Sequence, residues 1–185
     1  MTPFKLTSIV LTVSTAGLLA ACGSMAPMAP TFSQASLPAT VQVPSGNKVA
    51  METQAEGKIL YECRAKATAA GQFEWAFVGP DARLMSRNGM SAGKYYGPPA
   101  TWESNDGSKV TAVQVAVAPG TPGAIPLQLV KGNPAVGAGG MQGVTYIQRV
   151  NTKGGIAPAT PCVAGKVGEK QMVPYTADYI FYKAA

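Results

Sequence analysis

Apolar and polar side chains alternate with a period of two through much of the chain beyond residue 44. Val49, Met51 and Thr53 alternate with Ala50, Glu52 and Gln54; Ile59, Tyr61 and Cys63 with Leu60, Glu62 and Arg64; Phe73, Trp75 and Phe77 with Glu74, Ala76 and Val78. That period puts alternate side chains on opposite faces of a strand, so each segment predicts a strand with one buried face. Residues 110–117 (VTAVQVAV), 144–150 (VTYIQRV) and 175–182 (YTADYIFY) are rich in β-branched and aromatic residues, which suit a pleated surface. Turn signals lie between them: Asn88-Gly89, Asn105-Asp106-Gly107, Pro119-Gly120, Pro122-Gly123 and Lys153-Gly154-Gly155. The pattern predicts an all-β fold over residues 44–185, a single antiparallel β-sandwich or barrel-like domain with short strands and long Gly/Pro-rich loops. Residues 63–70 (CRAKATAA) are good helix formers with a weak apolar stripe and predict a short helix or a loop.

Before residue 44 the pattern changes twice. Lys5 is followed by an apolar run over residues 6–21, which ends in small residues, as a secretory signal requires. The run is short for a membrane span of about 20 apolar residues. Leu19-Ala20-Ala21-Cys22 resembles the bacterial lipobox, which implies removal of residues 1–21, diacylglycerol on the Cys22 thiol and a further fatty acid, such as palmitate, on its amino group. Two or three acyl chains hold a protein to a bilayer where one is marginal. Gly23 is not the aspartate that retains such proteins at the inner membrane, so the expected address is the outer membrane, facing the periplasm. Residues 22–43, rich in Ala, Pro, Ser and Thr and uncharged, predict a flexible tether.

Assigning Cys22 to lipid leaves Cys63 and Cys162. An exported chain with one remaining pair is expected to oxidise it to a disulfide, and no Cys-x-x-Cys spacing favours a redox-active pair instead. The net charge of +6 comes from 15 scattered basic and 9 acidic residues without any basic run, which predicts a solvated surface and no nucleic-acid partner. Histidine is absent, which removes Ser-His-Asp and Cys-His catalysis and imidazole metal sites. No cofactor and no metal site are expected. The glycine-rich residues 137–143 (GAGGMQG) lack a following Gly-Lys-Ser/Thr and predict a loop between strands.

Candidate chemistry is therefore sparse. Tyr95, Tyr96 and Trp102, in YYGPPATW, offer apolar bodies with polar handles and are candidate ligand-binding residues, against a plain role in core packing. Asp178, in YTADY, is the one carboxylate with a catalytic candidacy, and Arg149, in YIQRVN, is its expected long-range partner. Asp106 reads as a turn residue.

Tyr61-Glu62-Cys63, Trp75-Ala76-Phe77, the segment from Gly97 to Glu103 with Asp106-Gly107-Ser108, the block YIQRVNTKGG (residues 146–155), Cys162 and the block VPYTADY (residues 173–179) together resemble a family of secreted bacterial and fungal proteins known only as a domain of unknown function. The likeness covers nearly all of residues 44–185. It implies one exported domain and assigns no reaction. A histidine common in members is replaced here by Tyr95 or Tyr96, and nothing in the chain forms the dinucleotide fingerprint that the dehydrogenase label of some fungal members would require. The expected function is a non-enzymatic envelope module, membrane-bound through Cys22, that takes a small-molecule, glycan or protein ligand through Tyr95, Tyr96, Trp102 and Arg149. The alternative is a hydrolase or lyase of a cell-envelope polymer using Asp178 with Arg149.

Overall fold

A computed structural model describes Met1 and residues 32–185; the expected signal segment, Cys22 and the first part of the expected tether lie outside the described residues. Eight strands follow one another: β1 (Asn47–Ala65), β2 (Phe73–Ser86), β3 (Ser91–Tyr96), β4 (Thr101–Ser104), β5 (Lys109–Ala118), β6 (Leu127–Gly132), β7 (Val144–Gly154) and β8 (Lys170–Ala184). Each pairs antiparallel with its chain neighbours, and β8 returns to β1, so one sheet closes into a ring. The all-β expectation holds, and of its two forms the closed one is present rather than two stacked sheets. The ring is uneven. β1 has 19 residues and β8 has 15, whereas β4 has four and meets β5 through only three residue pairs. Among the described residues there is no α-helix. Residues 63–65 instead continue the ladder, Cys63 opposite Trp75 and Ala65 opposite Phe73, and residues 66–72 turn the chain into β2.

Side chains divide between two cores. Inside the ring lie Ile59, Leu84, Tyr95, Trp102, Ile147, Tyr179 and Phe181, among others. The outer face of β5 to β8 carries a second cluster, with Leu129, Val150, Ile180 and Tyr182. Residues 32–43 cover it. Val41 and Val43 are buried in this cluster, and Phe32 and Leu37 pack against it. The segment is also hydrogen-bonded: Gln148 Nε2 donates to the Val41 carbonyl at 2.6 Å, and Gln34 both donates to and accepts from the Val43 backbone. These twelve residues, assigned to the tether by composition, therefore form part of the folded unit. Their four large apolar side chains find a complementary face that a local composition argument does not see.

At Gly57, β1 is flanked by β2 and β8 at once, opposite Ala82 and Tyr175. A Cβ there would lie 2.1 Å from the Asp81 carbonyl oxygen, so only glycine lets the strands come this close. Near the far end of β1 a disulfide joins Cys63 to Cys162, with Cα atoms 5.5 Å apart, and holds the loop before β8 against the β1–β2 pair.

Candidate functional site

Two places in the fold gather polar chemistry. The first is inside the ring. Tyr95 on β3 stacks on Trp102 on β4 with ring centroids 4.5 Å apart, and both rings meet Tyr179 on β8 at 4.9 and 5.6 Å. Arg149 lies directly opposite Tyr179 across the β7–β8 pair, so alternation turns its side chain to the same inner face. Burial raises the hydroxyl pKa of Tyr61, Tyr95, Tyr175 and Tyr179, and the Arg149 guanidinium pulls all four back down, which places this one cation near every one of them. The guanidinium itself donates to the Pro126 carbonyl through Nε at 3.1 Å and an Nη at 3.0 Å. Three of the expected residues, Tyr95, Trp102 and Arg149, are thus brought together, but facing inward. Tyr95 and Trp102 are buried, so they form no surface platform. Tyr175 Oη, Tyr179 Oη and Trp102 Nε1 are buried without a hydrogen-bond partner among the described residues.

Tyr96 is separated from this group. It follows Tyr95 in β3 and so points to the outer face, where its hydroxyl donates to Glu103 at 2.8 Å and Lys94 lies over its ring at 5.2 Å. That hydrogen bond, with Lys109 and Lys94 beside it, holds the Glu103 carboxyl below its ordinary range.

The second place is a groove on the outer face. Two hollows of about 820 and 770 Å³ lie over β1 and β8, one extending to β2 and the other to β7, and they share Glu56, Lys153 and Thr176 in their walls. Their floor is low because Gly57, Ala82 and Gly154 contribute little but backbone to the first hollow, and Ala55 and Ala177 to the second. Donors and acceptors alternate around the rim. Glu56 pairs with Arg83 at 2.7 Å, whereas Lys58 and Lys153 form no ion pair among the described residues. Met172, exposed, adds an apolar wall to the first hollow.

Asp178 stands in the second hollow, and its partner is not Arg149. It is opposite Val150, whose side chain belongs to the outer cluster, while Arg149 is opposite Tyr179 and faces inward. The two lie on opposite faces of one sheet. Asp178 instead accepts a hydrogen bond from Asn151 Nδ2 at 2.7 Å. Asn151 is the one non-glycine residue with a left-handed backbone among those described, φ 50°, at the irregularity where β7 shifts register against β8. Asparagine tolerates this conformation better than most residues, and here it turns the amide onto the carboxylate. The YIQRVNTKGG and VPYTADY blocks are joined at this contact. Sequence reasoning missed Asn151; an asparagine two residues before Lys-Gly-Gly was the available signal. Among the described residues no three cysteine, aspartate or glutamate side chains cluster as metal ligands.

Compared with known proteins, residues 44–183 match a family model described as a protein of unknown function (DUF3455). No curated protein and no solved structure matches.

Proposed function

Starting from a chain that belongs to the DUF3455 family, we propose that it is a lipid-anchored, non-enzymatic envelope protein whose outer groove binds a polar, polyhydroxylated ligand such as a glycan. The carrying observation is the pair of connected hollows, with a low floor and a rim that mixes Glu56, Lys58, Asp81, Arg83, Lys153 and Asp178. Such a rim offers many hydrogen bonds in both senses and no field of one sign, which suits hydroxyl groups better than an ion. The exposed Met172 supplies the apolar contact that a sugar ring face requires. A binding role fits better than two-carboxylate turnover because two of the three groove carboxylates are already engaged, Glu56 with Arg83 and Asp178 with Asn151, which leaves Asp81 alone.

Anchoring at Cys22, cleavage before it and an outer-membrane address rest on the lipobox and the disulfide that an exported chain would form. Labelling of the protein with radioactive palmitate in growing cells, abolished in Cys22→Ala, is the expected result; equal labelling of both proteins overturns the anchor.

The groove is tested by thermal shift of the purified chain against envelope glycans at millimolar concentration, since a ligand of the folded state raises its melting temperature by mass action. A glycan that raises Tm for the wild type, but by less than half as much for Lys153→Glu, is expected. A rise that is unchanged in Lys153→Glu places the ligand elsewhere.

A further inference from the structure

We propose that the inside of the ring is a receptor for a small monovalent anion, held between the Arg149 guanidinium and the hydroxyls of Tyr175 and Tyr179. The strand register brings these groups together. One row of inward positions runs across five strands through Trp102, Tyr95, Ala82, Gly57 and Tyr175. Ala82 and Gly57 carry nothing beyond Cβ, so the row leaves room over them for the phenol rings on either side. In the neighbouring row Tyr179 stands opposite Arg149, and its ring lies 4.9 Å from that of Tyr95. Only Ala177, opposite Ala55, separates Tyr175 from Tyr179 on the inner face of β8.

What converges there is a set of donors. Tyr175 and Tyr179 are 3% and 1% exposed, and neither hydroxyl meets a hydrogen-bond partner among the described residues. Trp102 Nε1, in the same aromatic cluster, is a donor that meets no acceptor either. Burial raises the pKa of both phenols, so their hydroxyls keep their protons across the physiological range. Arg149 adds five N–H donors, of which Nε and one Nη reach the Pro126 carbonyl. No carboxylate pairs with it among the described residues. The carboxylates of nearby strands stand on the other side of the sheet: Asp81 alternates with inward Ala82, Glu103 with Trp102 and Asp178 with Tyr179.

Buried polar groups in folded proteins are satisfied, and a cation turned toward an apolar interior calls for a counter-charge. Water would satisfy the hydroxyls but not the charge. An anion does both, because its lone pairs accept from phenol and guanidinium alike in short, charge-assisted hydrogen bonds. One guanidinium balances one negative charge, and the packed rings limit the guest to a halide or the carboxylate of a very small acid. Arg149 is half-buried, so it reaches from solvent to the interior and marks the way in.

The test is thermal unfolding of the full-length chain in detergent, with formate or chloride exchanged for gluconate at constant ionic strength, gluconate being too large to enter the ring. For a site with a Kd of about 1 mM, about 100 mM formate or chloride is expected to raise Tm by at least about 3 °C, saturating as a single site requires. The anion that acts at the lower concentration identifies the guest as carboxylate or halide. Tyr179→Phe, which removes only the orphan hydroxyl, and Arg149→Gln are each expected to weaken the anion by about tenfold or more. Tyr96→Phe, on the outer face, is expected to leave its affinity unchanged. Equal Tm in formate, chloride and gluconate, or an anion effect of full size in either Tyr179→Phe or Arg149→Gln, overturns the inference.

Discussion

The Asp106 carboxylate accepts hydrogen bonds from the Ser108 backbone and hydroxyl at 2.9 and 2.6 Å and from the Gly140 N–H at 2.7 Å. The first two close the turn between β4 and β5; the third docks the glycine-rich loop on it. A Cβ at Gly139 would lie 2.4 Å from the carboxyl group, which explains the glycine, with φ 149°, at that point. These bonds, that of the Ser108 hydroxyl foremost, lower the Asp106 pKa from 3.8 to about 2. A depressed carboxylate stabilises the fold fully above its unfolded pKa, and that contribution is lost as the pH falls from about 4 through 2. Asp106→Asn is therefore expected to melt lower than the wild type at pH 6, with the difference shrinking toward pH 2; a Tm difference that does not shrink below pH 4 contradicts this origin. The turn role of Asp106 was legible in Asn105-Asp106-Gly107. Its hold on Gly140 was not, because that contact joins positions 34 apart. The aromatic candidates follow the same rule. Their types were visible, whereas the inward facing of Tyr95 and the outward facing of Tyr96 depend on which side of β3 the ring closes.

At the scale of elements, the seating of residues 32–43 turns on Gln148. Its side chain is fully buried and satisfied, with Nε2 donating to the Val41 carbonyl and to Gln34 Oε1, and Oε1 accepting from the Tyr182 hydroxyl at 2.7 Å. Burial, with the Glu52 carboxylate adding to it, pushes the Tyr182 hydroxyl up to about 12, so it remains a donor across the physiological range. Gln148→Ala strands the Val41 carbonyl and the Tyr182 hydroxyl, at about 1–3 kcal/mol for each buried orphan. The expected loss is about 3 kcal/mol in urea unfolding, with proteolytic cleavage within residues 32–43 ahead of global unfolding; cleavage no faster than in the wild type counts against the lock. Long strands were readable from alternation: the predicted segments lie in β1, β2, β5, β7 and β8. β3, β4 and β6, of four to six residues, were not, since too few positions alternate to raise a pattern above the loops. Phe77 also departs from its expected burial, at 56% exposed, because β2 runs beyond its pairing with β3 there.

For the whole molecule, the Cys63–Cys162 link closes 99 positions of chain. The chain-entropy account gives a loop of this length about 4.7 kcal/mol before strain is subtracted. Replacing both cysteines by serine is expected to lower the unfolding free energy by about 3–5 kcal/mol, and a change below 1 kcal/mol in urea titration would show that the ring holds the loop unaided. The seated segment has a further consequence for any chain fixed to a bilayer at Cys22. With residues 32–43 docked on the sheet, the leash is only the ten peptide steps from Cys22 to Phe32, at most about 35 Å when fully extended, rather than about twice that. On a chain anchored in that way, the groove would search a layer of fluid about half as deep against the membrane.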